Sequence, residues 1–182
     1  MSTPHESVAV LSRALDQAGD LLASVRRDQL SDPTPCEDWT VEQLIRHLLA
    51  DTHNFVTMMN GDQPDWAADP PVLPEDWTAA FRSGADDLIH RWHQREDAGG
   101  EGPPADMQTG EFAVHTWDLA RAVGHTDPLD PDVAERGLAF LSQGLTPDNR
   151  GRAFGAEVDV PADAPVYDRL AAFAGRDPSG TP

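Results

Sequence analysis

The sequence contains no lysine: all 13 of its basic residues are arginine. That absence excludes Schiff-base chemistry on a lysine amine, a lysine general base and the lysine of a phosphate-binding P-loop. No Gly-x-Ser-x-Gly elbow and no Gly-x-Gly-x-x-Gly turn occurs either, so several large enzyme classes drop out before any motif is read. Cysteine is nearly absent. The single Cys36 leaves no means of building an intramolecular disulfide framework or a cysteine-based zinc cluster. No apolar run approaches the roughly 20 residues that span a bilayer. Met1 to Ser7 lacks the basic and apolar regions of a signal peptide, and a cytoplasmic location is expected.

Positive charge is also scarce. Asp and Glu total 32 against the 13 arginines, a formal net charge of −19. Such a field repels nucleic acid and anionic membrane surfaces, and neither is an expected partner. Most of the carboxylates then serve solubility. The 182 residues suffice for one domain with a substantial core. The apolar share of 39% and charged share of 25% are ordinary for a soluble globular chain.

Apolar positions recur at helical spacing through most of the chain. Val8, Leu11, Leu15, Ala18, Leu22 and Val25 predict an amphipathic first helix from about Pro4 to Leu30, closed by Pro33 and Pro35. Thr40 and Gln43 form a capping box that opens a second helix, which runs through Phe55 and Met59 until Asn60-Gly61 stops it. Asp62 to Pro74 is a proline-rich loop. Glu75 and Asp76 suit the first turn of a third helix with core positions Trp77, Ala80, Phe81, Leu88 and Trp92. Ala98 to Ala105 is a second breaker, and a fourth helix follows from about Asp106 to Ala122 with Gly124 as its stop. Further helices are expected at Pro131 to Gln143 and Pro165 to Ala174, with a short extended piece at Glu157 to Val160. The pattern predicts an all-α protein: a four-helix bundle over about 4–124 and a C-terminal helical appendix over about 125–182, together one domain.

In the fourth helix Glu111 and His115 stand four positions apart, so both reach a common point on one face. A metal ion needs such converging ligands, and a helix supplies them rigidly. Alone the pair is a weak signal, since Glu and His share helix faces by chance. Asp118 falls on the same side three residues later. It is either a carboxylate holding a ligand histidine's ring N–H or a surface group paired with Arg121. His47, in the second helix, lies beside Leu44 and Asp51 at the edge of the apolar stripe, a position where a satisfied or exposed histidine is the commoner outcome. Asp51 and Asn54 follow it on nearly the same face and could line a pocket. His5, His53, His90, His93 and His125 show no convergence and are expected to face solvent. Cys36 is read as a small apolar side chain packed between Pro35 and the helix rather than a nucleophile.

Three stretches resemble a known family. Pro35-Cys36-Glu37-Asp38-Trp39-Thr40-Val41-x-x-Leu44-x-x-His47-Leu48 resembles the opening of helix 2 in the DinB-like, mycothiol-dependent maleylpyruvate isomerases. Val114-His115-Thr116-Trp117-Asp118-Leu119-Ala120-Arg121 is similar to that family's second motif. Leu170-Ala171-Ala172-Phe173-Ala174-Gly175-Arg176-Asp177-Pro178 looks like the ending of its short, actinobacterial metal-binding branch. The resemblance implies a DinB-like four-helix bundle carrying one divalent metal. Zinc is the usual ion, with nickel and others as alternatives, and the matching ligand positions are His47, Glu111 and His115. It also implies mycothiol as a thiol cofactor and a small-molecule substrate. A homodimer is a further option. The family's characterised isomerases add a C-terminal domain that lends an arginine to the substrate site, and 182 residues are too few to contain it.

Three ligands of the His₂Glu type leave a coordination position open, as catalytic zinc sites do. The function expected is a metal-dependent thiol S-transferase or isomerase. The alternatives are a bundle that binds metal or a small ligand without turnover, and a metal-dependent hydrolase.

Overall fold

The computed structural model describes residues 4–36, 39–97, 105–150 and 154–180. Among these residues there are six α-helices and no strand, so the all-α expectation holds and the architecture is a helical bundle. The helices are α1 Pro4–Ser24, α2 Val41–Met59, α3 Trp77–Asp97, α4 Ala105–Val123, α5 Pro131–Gly144 and α6 Val166–Phe173. Helices α1 and α2 each pack against both α3 and α4, which closes a ring of four; α5 lies on α4 and α1, and α6 on α5 and α4.

Every apolar position of the first stripe, from Val8 to Val25, is buried. Fully burying a Leu or Val side chain contributes about 1.5–3 kcal/mol, so a stripe of this kind fixes which face of α1 turns inward. The helix ends at Ser24, earlier than its periodicity predicts. The Ser24 hydroxyl bonds back to Leu21 O, and the chain passes into a 3₁₀ turn at Arg27–Gln29. Gln29 anchors that turn: its Oε1 accepts from Arg26 N and its Nε2 donates to Val123 O, tying the end of α1 to the end of α4.

The connection to α2 is built around Thr34. Its N–H and its hydroxyl both donate to Trp39 O, and the hydroxyl also reaches Cys36 O. The loop is thereby folded back on itself, so that Trp39 is delivered beside the start of α2. Thr40 caps α2 as its capping box predicts, with Thr40 N donating to Gln43 Oε1 at 2.8 Å. Gly61 ends α2's exit turn at φ 89°, a left-handed conformation that glycine adopts without penalty.

Helix α3 begins at Trp77, just after Glu75 and Asp76, which were expected in its first turn and lie before it. Asp76 instead accepts from Ala79 N and caps the helix. Trp77, Phe81, Leu88 and Trp92 are buried, but Ala80 is exposed on the outer face, where leaving a single methyl group in water costs little. The breaker Ala98 to Ala105 lies outside the described residues except for Ala105, which opens α4.

Helix α4 has buried residues on nearly every side, including Gln108, Thr109, His115, Thr116 and Asp118. A helix enclosed all round is a central element rather than an amphipathic one, and here α1, α2, α5 and α6 cover it. Close contact with α5 is made possible by glycine on both sides. A Cβ on Gly137 would stand 3.1 Å from Gly110 Cα, tighter than side-chain carbons normally tolerate. The piece at Glu157 to Val160 forms no strand; it is held to α6 by Val158 N donating to Ala172 O.

Candidate metal centre

Glu111 and His115 project from one face of α4, and His47 meets them from α2. His47 Nε2 lies 3.2 Å from Glu111 Oε1, and His115 Nε2 lies 3.0 Å from the same oxygen. The ligand-capable atoms of His47, Glu111 and His115 all fall within 4.8 Å of one another. The three residues therefore converge on one point from two helices, although 64 residues separate His47 from Glu111. His47 and Glu111 keep about a quarter of their side-chain surface open to solvent, at 23% and 28%, whereas His115 is buried. Access from outside is thus along the His47–Glu111 edge.

The second layer is more elaborate than helix spacing suggests. Asp118 is fully buried and does not pair with Arg121; that arginine reaches instead to Pro178 O and Gly180 O. Asp118 Oδ2 lies 3.1 Å from His115 Nδ1. A carboxylate can only accept, so Nδ1 carries the proton and Nε2 is the nitrogen turned toward Glu111 and His47. On its other side Asp118 is gripped by Arg176, whose Nη2 and Nε donate to Oδ2 and Oδ1 at 2.9 and 3.2 Å. A bidentate guanidinium of this kind holds both charge and orientation. An uninterrupted chain runs from Arg176 through Asp118 to His115.

Trp39 closes the site from above. Its ring centroid is 4.7 Å from that of His47 and 5.9 Å from that of His115, nearly parallel to the latter at 24°. The indole packs against both imidazoles and excludes part of the water around them, which strengthens the charge interactions beneath it. Neither Trp39 nor Arg176 stands out as a site residue by helical spacing. Both do lie inside motifs that carry the family resemblance, and that was the one signal available.

Asp51 sits one turn beyond His47 and is buried, with its Oδ2 3.0 Å from His47 Nε2. Asn54 is half-buried and makes no hydrogen bond with the three converging residues. His53, His90 and His93 are exposed and His125 half-buried, while the side chain of His5 lies outside the described residues. Cys36, His115 and Asp118 form a second group of ligand-capable atoms within 4.8 Å. In that group Asp118 and His115 are already committed to each other. Cys36 is half-buried, and its sulfur lies 3.6 Å from Arg176 Nη2. Burial and the charge of Asp118 push its thiol up to about 12, so it stays protonated and is a poor ligand or nucleophile.

Ionisation at the His47 group follows from its pairing. Burial opposes charge on His47, but Asp51 and Glu111 outweigh that and lift its pKa to about 10. His115 is raised as well: burial works against the cation, and the Glu111 charge and the Asp118 hydrogen bond overcome it. Burial would raise Glu111, yet the two imidazoles hold it well below the usual carboxylate range. Without a metal, the cluster is an imidazolium–carboxylate network. A divalent ion would take the place of the protons between the nitrogens and Glu111.

The family described as mycothiol maleylpyruvate isomerase N-terminal domain matches residues 11–120, a segment that includes His47, Glu111, His115 and Asp118. Two uncharacterised proteins of Mycobacterium tuberculosis, from strains CDC 1551 / Oshkosh and ATCC 25618 / H37Rv, are each 34% identical over 180 residues. The alignment covers 90% of this chain and 94% of theirs. No solved structure matches the chain.

Proposed function

The chain belongs to the mycothiol maleylpyruvate isomerase N-terminal domain family, and from that premise we propose that His47, Glu111 and His115 hold one divalent metal ion for thiol chemistry on a small molecule. The observation that carries this reading is the convergence of the three donor groups within 4.8 Å from two separate helices. Two imidazoles and a carboxylate suit zinc, and also nickel or cobalt, better than magnesium or calcium, which prefer all-oxygen sites. When bound, such an ion would favour the thiolate form of a low-molecular-weight thiol and so supply a nucleophile near neutral pH. The reaction class proposed is S-transfer or isomerisation with mycothiol as the thiol.

The chain's own residues have definite tasks in this scheme. Asp118 fixes the tautomer of His115 so that Nε2 is the coordinating nitrogen, and Arg176 fixes Asp118. Trp39 packs against both imidazoles and covers part of their surface. The open His47–Glu111 edge is the side from which thiol and substrate would arrive.

Purified protein should contain one divalent metal per chain by elemental analysis, and a His115→Ala variant should have lost most of it. Equal metal in the two preparations would sink the assignment.

A further inference from the structure

Because the sequence has no lysine, its fixed side-chain cations can be followed one by one: there are 13 arginines, and all but Arg152 lie among the described residues. Only Arg176 enters the site, and it does so from the buried side. It is 6% exposed and spends its guanidinium on both oxygens of Asp118. Arg46 is the neighbour of His47 in sequence, yet its guanidinium turns away to the loop carbonyls of Pro70 and Pro71. Arg13, Arg82 and Arg136 are paired with carboxylates outside the site. Among the described residues no arginine forms a hydrogen bond or ion pair with His47, Asp51 or Glu111.

The open edge is therefore lined by carboxylates and an aromatic ring. Glu111 stands on it from α4, Asp51 lies beside His47 on α2, and Trp39 packs against both imidazoles. A divalent ion held there has its two charges matched by Glu111 and Asp51, as Asp118 is matched by Arg176. A thiolate that joins the ion leaves one net negative charge, with no guanidinium at the edge to receive a second anion. In a partly buried site the repulsion between like charges is strong, and complementary charge is what decides between partners of similar shape.

We propose that the site selects by charge: it takes a thiol and a small electrophile that carry no carboxylate or phosphate, and rejects their anionic counterparts. This inference rests on the metal and thiol reading above and narrows its substrate class. A carboxylate on either reactant would enter a site of its own sign in a chain of net charge −19. An amide, ester or carbonyl compound meets no such penalty.

The test uses two thiols that differ by one carboxylate. Cobalt-loaded wild type is titrated at neutral pH with N-acetylcysteine amide and with N-acetylcysteine, and the thiolate charge-transfer band is followed for each. Compared at equal thiolate concentration, so that their different acidities drop out, the amide should bind at least about 10-fold more tightly, as expected where like charges are brought together. Asn54→Arg adds a cation on the half-buried position two turns beyond His47, on the same face of α2. That variant should tighten N-acetylcysteine and leave the amide unchanged. Equal affinities in the wild type, or tighter binding of N-acetylcysteine, would overturn the charge selection and leave the metal and thiol reading standing. No band with either thiol, on protein that holds its cobalt, would overturn both.

Discussion

His47 shows how one side chain reports the state of the whole site. Its pKa of about 10 in the metal-free fold, against about 6.5 for a free histidine, belongs to an imidazolium paired with Asp51 and Glu111. A group whose pKa is raised by folding contributes stability fully below its unfolded pKa and loses it as pH rises through the folded one. Metal-free protein should therefore lose melting temperature between about pH 6.5 and pH 10, by roughly 5 °C or more, and His47→Gln should flatten that slope. With metal present the sign reverses, because the ion competes with the same protons and binds more tightly as pH rises. A thermal scan in chelator and in excess zinc checks both halves; a slope indifferent to the His47 substitution would refute the pairing. How far such residues show in a bare sequence depends on their distance along the chain. Glu111 and His115 lie on one turn, so spacing alone joins them. His47 sits at the edge of its stripe, where wheel geometry cannot separate a ligand from a solvated histidine; only the fold decides. Arg176 is 58 residues from Asp118, and no local rule connects the two.

Among the elements, α4 departs most from the amphipathic pattern by which the others were recognised. Two of its buried polar residues find partners on neighbouring elements: Trp92 of α3 donates to Gln108, and the turn after α6 brings Arg176 to Asp118, whereas the buried hydroxyls of Thr109 and Thr116 have no hydrogen-bond partner. The ends of α2 were readable from Thr40, Gln43 and Gly61, since caps are local chemistry. The early end of α1 was not, because it depends on Gln29 finding Val123 O on another helix. The segment after α6 also has a role beyond covering apolar surface, as it completes the support of His115. Arg176→Ala should leave the buried Asp118 without its guanidinium and with His115 alone, and removing one partner of a buried ion pair typically costs about 3–5 kcal/mol and lowers the melting point by on the order of 10 °C. It should also weaken metal binding, since His115 loses its fixed partner. The double variant Arg176→Ala with Asp118→Asn removes the stranded charge and should recover part of the stability. A single variant as stable as the wild type would mean that the ion pair does no more than fill space.

The molecule as a whole is an acidic bundle with a net charge of −19, and its field draws cations toward the surface while repelling polyanions. No helix among the described residues is long and apolar enough to cross a membrane. The ring of α1 to α4 buries one side of the site, Trp39 covers it, and the His47–Glu111 edge remains open for a small molecule. Whether that edge delivers a thiol to a bound metal is the centre of the proposed function. Cobalt-substituted protein titrated with mycothiol at neutral pH answers it directly. Thiolate coordination produces an intense near-ultraviolet charge-transfer band that bound water does not. A band that grows and saturates is the expected result; an unchanged spectrum at millimolar thiol, on protein that holds its cobalt, would contradict thiol chemistry at this metal.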